Sequence, residues 1–172
     1  VIIGAQEWMS ENLRTTKYSD GAAIPNITDN TAWSNLSTGA WCNYNNSSSN
    51  DAIYGKLYSW YAVETGKLCP TGWHVPTDAE LTVLTDYLAA NGHDKKEGKA
   101  LRATSGWGDY AGSSGNGTDD YGFSALPGGN RYGDSFEFVG SFGYWWSSSQ
   151  KIEVDYDVEY AYRAWGRHLV TN

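Results

Sequence analysis

The chain has 172 residues, 12 basic against 20 acidic side chains for a formal net charge of −8, and 15% aromatic residues, including nine Trp and 13 Tyr. That aromatic content excludes the composition of a disordered chain, and the acidic balance excludes the basic footprint required by duplex nucleic acid or an anionic membrane surface. No apolar run approaches the ~18 residues of a membrane helix, so the length fits a single domain over residues 1–172 that does not insert into a membrane.

In chain order, Val1–Ile3 and Gln6–Met9 are short β-prone runs around Gly4-Ala5 and predict a hairpin. The Val-Ile-Ile-Gly start reads as the interior of a larger product. Residues 14–52, rich in Asn, Ser, Thr and Asp, predict long irregular loops pinned by Trp33, Trp41 and Tyr44. Residues 54–65 predict a helix, with Leu57, Tyr58, Tyr61 and Ala62 on one stripe and Gly66 as the stop. A second helix opens after Pro76. Thr77 with Glu80 three residues on is a capping box, Leu81, Leu84, Tyr87 and Leu88 form the buried face, and Gly92 ends it.

Residues 107–121 read as a loop. Phe123–Leu126, Phe136–Val139 and Tyr144–Ser148 read as strands, the first two separated by a turn at Gly128-Gly129-Asn130. From Ile152 to Tyr160 apolar and acidic residues alternate, the signature of a half-buried strand. Helices in the first half and strands in the second predict an α+β fold, not a parallel βαβ sheet.

The order of motifs carries further information. Tyr54-Gly-Lys-Leu-Tyr-Ser-Trp-Tyr-Ala, Cys69-Pro-Thr-Gly-Trp-His-Val-Pro-Thr-Asp-Ala-Glu-Leu, Gly122-Phe-Ser-Ala-Leu-Pro-Gly-Gly-Asn-Arg and Gly143-Tyr-Trp-Trp-Ser-Ser-Ser follow the opening Ile3-Gly-Ala-Gln-Glu-Trp-Met-Ser-Glu-Asn-Leu. Together they resemble the Fibrobacter succinogenes major paralogous domain family of Bacteroidetes-type surface proteins. The resemblance implies a C-type-lectin-like fold, with two helices, a twisted antiparallel sheet and long loops. It also implies an extracellular or outer-membrane-associated location, as in a lipoprotein. Family members continue past Leu169 by about one strand and a turn, into a Cys-bearing segment. Without it, the customary partner of Cys69 is missing and an open sheet edge is expected to invite strand addition. Cys42 and Cys69 are left either as one bridge or as two thiols.

The chemistry candidates are few. His74, His93 and His168 stand at no metal-ligand spacing, and no Gly-x-Ser-x-Gly elbow is present. The expected protein is not an enzyme and needs no cofactor. Glu153, Asp155, Asp157 and Glu159 share one strand face. Asp155 and Asp157 are the candidate ligands for a calcium ion, which takes oxygen donors, and the competing reading is a solvated face. The candidate ligand-binding residues are Trp146, Tyr160, Tyr162, Arg163, Trp165 and Arg167, rings and guanidinium groups suited to glycan stacking or protein contact. Trp145 and Trp146, adjacent on a strand, must face opposite ways. The expectation is a non-catalytic adhesion domain taking a glycan or an envelope protein through this C-terminal face. The alternative is a structural subunit that joins a larger envelope complex through its open edge.

Overall fold

The computed structural model describes residues 1–153 and 161–171, with the backbone course alone for 151–153 and 161–166. The fold is α+β with a curled sheet. The N-terminal hairpin forms as predicted, Ile2–Ile3 (β1) pairing with Gln6–Glu7 (β2). Its turn residue Gly4 has φ +61 and lies where a Cβ would stand 2.8 Å from the Tyr87 ring.

Residues 14–52 are more ordered than their composition suggests. Asn30–Ser34 (α1) is capped by Asp29, whose Oδ1 accepts Ala32 N–H at 2.8 Å. Trp41–Cys42 (β3), a 3₁₀ turn at Tyr44–Asn46 and Ser48–Tyr54 (α2) follow. The helix expected across 54–65 is divided. Gly55 takes φ +72 with its α-carbon against Asn12 and ends α2. Leu57–Tyr58 (β4) then pairs with β3, and the helix restarts as Trp60–Glu64 (α3). Leu57 and Tyr58 therefore belong to a strand, and Tyr61, placed on one stripe with Ala62, is exposed where Ala62 is buried.

Asp78–Leu88 (α4) is the longest helix and carries the predicted capping box. Leu81, Leu84 and Leu88 are buried with Tyr87 half-buried, and a wide turn through Gly92 at φ +93 follows. Glu97–Leu101 (α5) was not anticipated. Phe123–Leu126 is not a strand and makes one isolated bridge, Arg102 to Ala125. The cause is Asp119, whose carboxylate accepts the N–H and the hydroxyl of Ser124, both at 2.7 Å. Ser124 sits there at φ +54, which an extended run forbids.

The expected turn at 128–130 is instead the start of Gly128–Tyr132 (β5), and the reversal comes at Gly133-Asp134 before Ser135–Val139 (β6). Phe142–Glu153 (β7) and Ala161–Val170 (β8) complete a sheet of order β6-β5-β7-β8. β5 is antiparallel to β6 and parallel to β7, while β7 and β8 form a long antiparallel ribbon. The alternating segment that begins at Ile152 continues β7 to Glu153, and its remainder lies outside the described residues.

Register in the β7–β8 ribbon shifts between Trp146↔Gly166 and Gln150↔Ala164, so Ser147, Ser148 and Ser149 stand opposite Trp165 alone. This bulge grips the start of α4. Ser148 N–H donates to Pro76 O at 2.8 Å, and Asp78 N–H donates to Ser149 Oγ at 3.0 Å. One core cluster, Ile3, Leu84, Leu88 and Leu101, packs with Trp8, Tyr87, Tyr121, Phe123 and Leu169. The other, Ile24, Tyr58, Ala62, Val63 and Leu68, packs with Leu13, Tyr18, Trp41, Trp60 and Val75. β7 therefore has one face toward α4 and the cluster it packs on, and α3 covers part of the other.

Candidate functional site

Strand periodicity separates the two adjacent tryptophans, as expected. Trp145 turns inward. Its Nε1–H donates to Asn12 Oδ1 at 3.1 Å, its ring lies near Phe123, and Gly143 leaves it room, since a Cβ there would fall 2.4 Å from the indole. Trp146 turns outward. Its Nε1–H donates to Tyr58 O at 2.9 Å, and its ring lies 5.8 Å from that of Trp60 at a tilt of 52°. Those two contacts fix the indole plane while 38% of the residue stays exposed.

Around Trp146 three distant segments converge. They enclose a groove of about 280 Å³ lined by Trp33, Ser34 and Leu36, by Tyr58–Tyr61, by Arg131 and by Trp146. Each has a local reason for its position. Trp60 and Tyr61 open α3 directly after β4, so one ring meets the core cluster and the other, 39% exposed, does not. Arg131 on β5 donates to Ile27 O at 3.0 Å, Thr28 O at 3.1 Å and Asn30 Oδ1 at 2.8 Å. Its guanidinium lies 4.6 Å from the Trp33 ring centre and 4.7 Å from that of Phe136, a cation–π sandwich that holds α1 over the sheet. One turn along α3 from Trp60, Glu64 Oε1 accepts from Gln150 Nε2 at 3.0 Å. The groove thus combines exposed rings with an amide–carboxylate pair on its rim.

The other predicted residues are distributed differently. Arg167, opposite Trp145 in register, pairs with Asp78 at 2.8 Å and donates to Thr82 Oγ1 at 3.2 Å. It serves the α4 face and is not brought to Trp146. Tyr162 and Arg163 stand opposite Ile152 and Lys151, and Trp165 opposite the serine bulge; their side chains, with Tyr160, Asp155 and Asp157, lie outside the described residues. Among the described residues no group of three His, Cys, Asp or Glu side chains is placed to hold a metal. Cys42 and Cys69 are separate thiols, not a bridge. Burial raises both thiols above their ordinary range, and at Cys42 the adjacent Arg131 offsets part of that rise.

The histidines have structural partners. His74 Nε2 lies 2.9 Å from Glu80 Oε1 beside the helix cap, and His93 lies 3.8 Å from Asp120 and edge-on to Tyr121. The Tyr58 hydroxyl, pushed well up by burial, donates to Thr15 O at 2.7 Å. A second hollow of about 450 Å³ runs along residues 7–14 and Trp73, wider and more open than the groove. Its Arg14 is already paired with Glu11 at 3.3 Å.

Sequence reasoning missed Trp33, Trp60, Tyr61 and Arg131. The available signal was Trp60-Tyr61 at a helix start, where two adjacent large rings cannot both enter one core. Comparison with curated proteins and with solved structures gives no match. Residues 1–169 match the family model described as the Fibrobacter succinogenes major domain. With nearly the whole chain inside that match, the protein belongs to the Fibrobacter succinogenes major domain family.

Proposed function

We propose that this domain is a non-catalytic binding module of a secreted or surface-anchored bacterial protein, and that the groove at Trp146 takes a glycan. The observation that carries the reading is a pair of exposed rings, Trp146, whose plane is fixed, and Tyr61, at 38% and 39% exposure, backed by Trp60 and Trp33. An aromatic face held rigid by a hydrogen bond and a neighbouring ring offers apolar area to the C–H face of a sugar at little entropic cost. Gln150, Glu64 and Ser34 supply polar groups at its margin. Support for the non-catalytic reading is that the groove presents rings and a guanidinium already engaged with carbonyls, not two opposed carboxylates.

The α+β architecture, its curled sheet and long irregular connections support a C-type-lectin-like fold, with the ligand on the C-terminal half of the sheet. No helix among the described residues is long and apolar enough to cross a membrane. The outer-surface location is an inference from the family resemblance.

The test is a glycan array followed by titration calorimetry on Trp146→Ala and Trp60→Ala. Loss of a central aromatic anchor costs about 2 kcal/mol of binding, roughly thirtyfold in affinity. Unchanged affinity for every bound glycan in both variants, with melting temperatures preserved, would refute the site.

A further inference from the structure

We infer that the ligand is an extended, uncharged polysaccharide chain lying along β7, not a single terminal sugar; the inference rests on the glycan reading of the groove. Aromatic side chains continue along β7 beyond the groove at Trp146. Phe142, Tyr144 and Trp146 occupy alternate positions of β7 and share its outer face, about 6.6 Å apart per step. The Phe142 and Tyr144 rings are nearly parallel, 10° apart with centroids 5.9 Å apart. Phe138, at the end of β6, extends the row with its ring 5.0 Å from Phe142. His168, opposite Tyr144 on β8, lies 5.9 Å from it. Rings therefore run from Trp60 to Phe138, with Tyr144 40% and Phe138 47% exposed.

Phe138 supplies an independent observation. It has φ +65, a conformation that costs an L-residue about 1–2 kcal/mol. Nearly half of the residue faces solvent, and its ring packs on Phe142 at the far end of the row.

Charge and hydrogen bonding select the occupant. Glu64 flanks one end of the row, and Glu137 lies close enough to Tyr144 to raise its hydroxyl pKa beyond the effect of burial. The guanidinium of Arg131 is spent on the carbonyls of Ile27 and Thr28 and on Asn30. Those partners are neutral and leave Arg131 charged, but its donors are occupied, and a polyanion would approach the two carboxylates on a chain of net charge −8. A peptide strand adds at a sheet edge, whereas these rings project from the face of β7, and one of its two edges is paired with β8. What remains is a row of rings, and pyranose faces match it.

The experiment is calorimetric titration of the intact domain with neutral gluco- and manno-oligosaccharides from disaccharide to hexasaccharide, alongside a polyuronate. Affinity is expected to rise at least tenfold from disaccharide to hexasaccharide. Tyr144→Ala should lower hexasaccharide affinity several-fold and leave the disaccharide unchanged, Tyr144→Phe should retain both, and Trp146→Ala should lose both. Binding that is independent of chain length, an equal effect of Tyr144→Ala at both lengths, or preference for the polyuronate would overturn the extended-chain inference while leaving the groove as a glycan site. Failure of every oligosaccharide to bind would overturn the groove reading as well, and a protein ligand displaced by Trp146→Ala would replace it.

Discussion

Replacing Thr77 by Ala should loosen the joint between α4 and the sheet. Thr77 Oγ1 accepts Glu80 N–H at 3.2 Å and donates to Glu80 Oε2 at 2.9 Å, and the same carboxylate oxygen accepts Thr77 N–H at 2.7 Å. The next amide, Asp78 N–H, is satisfied from outside the helix by Ser149 Oγ at 3.0 Å. Loss of an N-cap hydroxyl costs about 1 kcal/mol, which lowers Tm by about 2–4 °C in a domain of this size. Ser149→Ala removes a different acceptor from the same turn, at about 1 kcal/mol again. Because Ser149 reaches the turn through the β7 bulge, the two losses share a structural unit. The double variant should depart from additivity by about 0.5 kcal/mol or more. Urea unfolding followed by tryptophan fluorescence measures all four proteins, and Thr77→Ser should restore the parent midpoint. A Thr77→Ala midpoint equal to the parent's, or strict additivity with Ser149→Ala, would show that cap and bulge are not the joint inferred here. Glycan affinity should be unaffected by Thr77→Ala, since Trp146 faces away from α4.

The same turn has a pH signature. Hydrogen bonds from the Thr77 backbone, above all, with the Thr77 hydroxyl and His74 behind it, hold Glu80 below its ordinary 4.5. A depressed folded-state value means the stabilisation is fully present above pH 4.5 and is lost as pH falls through the folded value. Thermal melts of wild type against Glu80→Gln should therefore converge below that range and diverge above it; a gap that is constant with pH would count against the assignment. Gly129 provides a steric test. At φ +63, a Cβ there would lie 2.3 Å from Glu137 O and 2.7 Å from Val139 N, so Gly129→Ala should destabilise by about 2 kcal/mol or more. Gly21, at φ +87 with nothing within 4 Å, should lose only the conformational part, about 1 kcal/mol. Equal denaturation midpoints for the two Ala variants would remove the steric argument.

What the residues reveal by themselves depends on the range of the interaction. The α4 start was readable because a capping box is closed within four residues, Thr77 to Glu80, and its buried face because Leu81, Leu84 and Leu88 repeat at helical spacing. The opposition of Trp145 and Trp146 follows from the two-residue period of any strand. The helix across 54–65 was misread because its apolar spacing is compatible with a helix, whereas Gly55 against Asn12 breaks the chain from outside the segment. Phe123–Leu126 failed in the same way, since its β-prone composition yields to the Asp119 carboxylate. Gly128-Gly129 looks like a turn by composition. In the fold, Gly129 lies in a ladder opposite Phe138, between the pairs Gly128↔Val139 and Asn130↔Glu137, and both residues take positive φ.

Sequence alone determined the family, the α+β class, the cap and the strand alternation, because each is written in neighbouring residues or in the order of motifs. Only the tertiary structure decided the groove. Trp33, Trp60, Arg131 and Trp146 come from α1, α3, β5 and β7, and their approach is set by a strand pairing, an arginine bound to carbonyls and a three-serine bulge. Arg167 shows the same division: its charge suggested a ligand, and one register position turned it to Asp78 on the opposite face. A side chain's chemistry is local, but the neighbour that uses it is chosen by contacts many residues away.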